Sequence, residues 1–173
     1  MARAPRANRR RSRAGGSVIV ELALTLLPLM ALIFAFADFS LLLFRWSTLE
    51  NAVREGCRYA ITFQTSGALG QDASIAQVVQ QYALGVVTTT DSPQHIFVDY
   101  YSPGNLNTSI ASGGNIPGNV VQVSVRNVSW SWLAPLSGSF GGGGMFASTP
   151  LGFSVYSCDI LGGYPAGVNS VAR

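Results

Sequence analysis

The chain has 173 residues, room for one ordinary domain, and it is 48% hydrophobic but only 11% charged. Its net charge of +3 is unevenly placed: residues 1–16 hold six arginines and no acid, and the remainder holds five arginines against eight acids. The basic character is thus confined to a short tail with no basic patch behind it, which speaks against nucleic acid as a partner. With one histidine, two cysteines and no lysine, the chain offers no zinc spacing. It has no G-x-S-x-G elbow either, and its glycine run at 141–144 lacks the Lys-Ser/Thr of a phosphate loop. Neither an enzyme, nor a metal site, nor a bound cofactor is expected.

Residues 1–16 read as a polar, basic leader. From 18 to 44 runs "VIVELALTLLPLMALIFAFADFSLLLF", in which Glu21 and Asp38 are the only charges. At ~1.5 Å per residue it gives ~40 Å of helix, enough for a bilayer core of about 30 Å. The arginines before it put the N-terminus in the cytoplasm by the positive-inside rule, with residues 45–173 across the membrane. One helix is predicted from 17 to about 62. Pro28 should kink it and free the carbonyl of Leu24, with Thr25 placed to help. Past the lipid the helix becomes amphipathic: Trp46, Leu49, Val53, Cys57, Ala60 and Ile61 share one face, and Glu50 stands four residues before Arg54.

"DASIAQVVQQYALG" predicts a second helix capped by Asp72, with Ile75, Val78, Val79 and Tyr82 as its apolar face and Gly85 at its end. Strands are predicted at 95–101, 119–133 and 152–158. In the middle one Val121, Val123 and Val125 alternate with polar residues, then the phase changes to Val128, Trp130 and Trp132, which predicts a bulge near Asn127. The fold class is α+β: a long N-terminal helix, a second short helix and a small antiparallel sheet. Cys57 lies on the helix face that a sheet would cover and Cys158 ends the last strand signal. Both fall in an oxidising compartment under this topology, so a Cys57–Cys158 disulfide is expected.

The segment "GGSVIVELALTLLPLMALIFAFADFSLLLFRWSTLENAVREGCRYA" resembles the TadE-like family of the tight-adherence (Tad/Flp) pilus system. The resemblance rests on Val20-Glu21-Leu22-Ala23-Leu24, Pro28, Asp38 and the stretch from Ala52 to Ala60. Gly16 followed by Ser17 and then by Glu21 also looks like a prepilin processing site, at which a membrane peptidase cuts after the glycine. The resemblance implies a pilin-like outer domain over 45–173 and a role as minor pilin or pseudopilin in pilus assembly, adhesion and biofilm formation. Implied partners are a prepilin peptidase, other pilins and the inner-membrane assembly platform. Glu21 would neutralise the N-terminal amine of a neighbouring subunit. Two other readings stand beside it: an uncleaved single-pass scaffold of the same apparatus, and an unrelated membrane-anchored module that binds a ligand through exposed Trp130, Trp132, Tyr100 and Tyr101.

Overall fold

The computed structural model describes residues 14–130 and 151–173. The leader to residue 13, Trp132 and the glycine run at 141–144 lie outside the described residues. Helix α1 (Ala14–Ile61) is followed by α2 (Gln71–Tyr82) and by strands β1 (Ile96–Ser102), β2 (Asn105–Ser109), β3 (Val120–Trp130) and β4 (Leu151–Ile160). The architecture is the expected α+β arrangement. The described residues divide between two compact units, one with α1 up to Ser40, the other with residues 41–130 and 151–173.

In the first unit the sequence leaves the backbone little choice. Apolar residues dominate, broken from 18 to 40 only by Glu21, Thr25, Asp38 and Ser40 among charged and hydroxyl side chains, and Val18, Ile19, Val20 and Leu22 are all exposed. At ~100° per residue, such a run covers every side of a helix rather than one stripe. The helix continues through Pro28. Thr25 donates to the carbonyls of Glu21 and Leu22 at 3.1 and 3.0 Å, not to that of Leu24, so the expected service to the proline-freed carbonyl is not the one it performs. Ser40 and Thr48 bond back to Phe36 and Phe44. Hydroxyls satisfied inside their own helix add little polar cost to an apolar stretch.

In the second unit the sheet order is β2-β1-β3-β4, all antiparallel. Its inner face carries Ile96 and Tyr100 from β1, Val121, Val123 and Val125 from β3 and Val155 from β4, all buried. These meet Leu49, Ala52, Val53, Cys57 and Ala60 of α1 and Ile75 and Val79 of α2 in one core. Each large apolar side chain so buried contributes about 1.5–3 kcal/mol. The predicted bulge is present: the β3–β4 register shifts between Val125 and Val128, and Asn127 takes φ of 60°. Asparagine tolerates that left-handed conformation better than most residues, so the two-residue phase of the valines is reset at little cost.

Four local expectations are corrected. Trp46 is 49% exposed, because its turn of α1 precedes the core. Tyr82 is 43% exposed; the buried face of α2 is Gln71, Ser74, Ile75 and Val79. Asp72 does not cap α2, whose N-cap is Gly70 without a side-chain bond. Strand β2 was not among the predicted elements, and all five of its residues are exposed.

The closest approach in the core is at Gly56. A Cβ placed there would lie 2.6 Å from Val79 Cγ2 and 3.3 Å from Val123 Cγ1. Gly56→Ala is therefore expected to lower stability by about 1–3 kcal/mol through overpacking, outweighing the ~1 kcal/mol that alanine adds to a helix. Denaturant midpoints of the full chain in detergent check this. Adding Val79→Ala should make the pair less harmful than the sum of the two single changes.

Candidate functional site

The residues singled out for processing and assembly sit on the first two turns of α1. Gly16, Ser17 and Glu21 are all exposed, and a Cβ at Gly16 would have nothing within 4 Å. Ser17 and Glu21 are one turn apart, ~6 Å along the axis. The helix already begins at Ala14, so the Gly16–Ser17 peptide lies inside its first turn. That turn carries no acidic residue to complement the positive end of the helix, and glycine there costs about 1 kcal/mol relative to alanine. It is the turn of α1 least expensive to unwind. Asp38, the second acid of the apolar run, is buried.

The cysteines are not bonded to each other. Both are free thiols. Cys57 is buried and donates to the carbonyl of Ser157 at 3.0 Å, so the helix meets β4 one residue short of Cys158. Successive side chains of a strand point to opposite faces. Val155 points inward, and Cys158, three residues on, points outward and is exposed. In this register the expected disulfide is not formed. Burial pushes the Cys57 thiol up, against the pull of its bonds with Val123 and Ser157.

The aromatic residues considered for ligand binding are largely interior. Tyr100 is fully buried and Trp130 is 3% exposed, with the guanidinium of Arg45 4.8 Å over the indole. His95 lies between strands, its Nδ1 2.9 Å from the carbonyl of Arg126.

A polar cluster that no sequence motif announces closes the other end of the domain. Tyr100 donates its hydroxyl to Asp72 Oδ1 at 2.7 Å, and Arg173 Nε donates to Asp72 Oδ2 at 2.7 Å. The Arg173 guanidinium also stacks 4.8 Å over the Tyr100 ring and donates to the carbonyl of Ala111 at 2.8 Å. Beside it, buried Gln71 donates from its side chain to the carbonyl of Ala60 and accepts from Asn115. Asn115 in turn donates to the carbonyl of Val171. The C-terminal segment is thereby tied to α1, α2 and the sheet at once. Burial, and next the hydrogen bond and negative charge of Asp72, hold the Tyr100 phenol far above its ordinary range.

Residues 16–58 match the family model described as TadE-like protein. The match begins at the glycine of the first helical turn, takes in Glu21, Pro28 and Asp38, and ends just past Gly56 and Cys57. It covers the apolar helix and its packed extension, while α2 and the sheet lie outside it. No curated protein and no solved structure matches the chain. The match links this helix to the Tad pilus system. The helix is long and apolar enough to cross a membrane, which agrees with a membrane-anchored component.

Two outcomes are expected. Under native, non-reducing conditions Cys158 should alkylate readily and Cys57 only after unfolding; absence of both thiols after denaturation would restore the disulfide. Because the folded Tyr100 pKa is raised, its contribution to stability is intact below about pH 10, the phenol's unfolded value, and is lost as pH rises above it. Absorbance of tyrosinate should therefore show one phenol that ionises only together with alkaline unfolding. Tyr100→Phe should lower stability by about 1–2 kcal/mol and remove that late step.

Proposed function

We propose that the protein is a minor pilin or pseudopilin that takes part in assembly of a tight-adherence pilus, for adhesion and biofilm formation. It acts as an inserted subunit and not as an enzyme. The observation that carries this reading is Glu21. It is an exposed carboxylate one turn after Ser17, in an apolar run whose one other charge is Asp38, within the segment that matches the TadE-like family. A lone carboxylate in lipid costs several kcal/mol, whereas a paired one costs much less.

A prepilin peptidase that cuts after Gly16 would create an amine at Ser17, a cation ~6 Å before Glu21 along the helix axis. Within one subunit the two are separated by a helical turn. Between subunits displaced along the helix axis, the amine of one can meet the carboxylate of the next, so that charge neutralisation selects the register of packing. The arginines of the leader hold the N-terminus on the cytoplasmic side of the inner membrane until that cut. The exposed apolar residues of α1 first face lipid and then the helices of partner pilins at the assembly platform.

Gly16→Leu should leave the leader attached when the protein is co-expressed with its prepilin peptidase, while the wild type loses residues 1–16; intact mass distinguishes them. A wild-type chain that keeps its leader in its own host would instead make it an uncleaved scaffold of the same apparatus. Glu21→Leu should still be cut, yet recover at least about tenfold less partner pilin on co-purification, as expected when a desolvated ion pair loses one member. Normal partner recovery with Glu21→Leu would refute the charge-pairing role.

A further inference from the structure

Helix α2 runs back down α1 toward the membrane end of the domain. Its first residue, Gln71, bonds to the carbonyl of Ala60; Val79 meets Gly56; and the end of α2 reaches the level of residues 44–51. There Tyr82 and Leu84 share a cleft with Phe44, Ser47, Thr48 and Asn51. Phe44 is the last residue of the apolar run, the point at which a spanning helix leaves the hydrocarbon.

The chain makes a tight turn at this place. Val86 N–H donates to the carbonyl of Ala83 at 3.0 Å, and the two central residues, Leu84 and Gly85, take φ of 51° and 80°. Such a turn favours Asn or Gly at both central positions. Leucine is an unfavourable choice there on backbone grounds, and its side chain gains nothing inside the domain, being 71% exposed. Around it Phe44 is 59% and Tyr82 43% exposed. No charged residue occurs between Asp72 and Asp91, and among the described residues none lines the cleft.

We infer that the Tyr82–Gly85 turn is a second membrane contact, which seats Leu84 and Tyr82 in the outer surface of the bilayer beside the exit of α1. This rests on the membrane-spanning part of the function proposed above. A lipid interface fits each feature: tyrosine prefers the headgroup level, with an apolar body and a polar tip. An aliphatic side chain at a turn tip can enter the acyl boundary, about 5–10 Å deep for interfacial segments. The face also includes Phe44, the last residue of the apolar run. With two anchors in place of one, the outer domain is held at a fixed tilt and rotation over the membrane.

The test uses the full chain with Cys57→Ala and Cys158→Ser, and single cysteines introduced as Leu41→Cys, Tyr82→Cys, Leu84→Cys or Thr65→Cys. Each variant is labelled with an environment-sensitive dye. Each is then reconstituted into phosphatidylethanolamine–phosphatidylglycerol vesicles that contain a lipid with a shallow spin-label quencher. Dyes at 41, 82 and 84 should shift to the blue and be quenched, and the dye at 65, beyond the far end of α1, should do neither. Quenching at 41 without quenching at 82 and 84 overturns this inference and leaves the spanning helix intact. Absence of quenching at 41 as well overturns both. A blue shift at 84 that ignores the quencher but grows with the protein-to-lipid ratio would show a second copy covering this face, which also refutes the lipid contact.

Discussion

The second unit depends on how closely its other elements can approach one stretch of α1. Ala52, Gly56 and Ala60 recur at intervals of four and form a stripe of small, buried positions. Where the stripe narrows to Gly56, Val79 of α2 and Val123 of β3 both come within reach of the helix backbone. Two layers thus converge on a single point of the helix. Larger side chains there would separate α2 from the sheet, and Ile75 and Val121 would lose their shared core with it. Because the match to the TadE-like family runs through this glycine, the matched segment includes a packing requirement as well as an apolar anchor.

Around that contact buried Gln71 and Asn115 have hydrogen-bond partners, whereas among the described residues the buried Ser124 Oγ and Trp130 Nε1 have none. Gln71 uses its side-chain amide for α1 and its carbonyl for Asn115, while its backbone N–H donates to Ala172 at 2.8 Å. An amide left unsatisfied at such depth costs about 1–3 kcal/mol, so these bonds fix the path of residues 161–173 as well as adding stability. Gly70 serves the same end: a Cβ there would lie 2.4 Å from the carbonyl oxygen of Arg173. The tail and the start of α2 fit only because that position has no side chain.

Much of this was legible in the sequence wherever a pattern is local. The apolar run, the helical spacing from Leu49 to Ala60, the valine alternation and the phase change at Asn127 are properties of neighbouring residues, and all appear in the fold. Strand β2 was missed because "NLNTS" has no buried face to write a period into it; it pairs with β1 while wholly exposed. Ser124 looked like a solvent-facing residue of β3, yet it is 2% exposed, flanked in the ladder by Phe97 and Tyr156. Trp46 and Tyr82 were placed in the core because periodicity reports a face and not what covers it. Cys57 was correctly read as buried against the last strand, but which of two adjacent residues it meets depends on strand register, and Ser157 is the one. The Asp72–Tyr100–Arg173 cluster joins residues as far as 101 positions apart, and no short-range signal encodes it. For the helix start the sequence supplies residue types; their pairing with another subunit is a matter of assembly.

Strand β4 carries a consequence for the order in which the protein can be made. It is the last strand of the sheet in the chain, yet it forms the edge that completes β3, pairing along its length from Val120–Ile160 to Trp130–Leu151. Until it arrives, β3 has an open side, and the ladder groups that β4 later takes up are without partners, the kind of edge that invites pairing with other chains. Contacts this distant in sequence are slow to close because the loop entropy is lost before the contact energy is gained. A chain still being made therefore passes through an interval with α1 complete and the sheet unfinished. Maturation of the domain thus waits on residues 151–160, and the species that precedes it is specific: β3 without its neighbour.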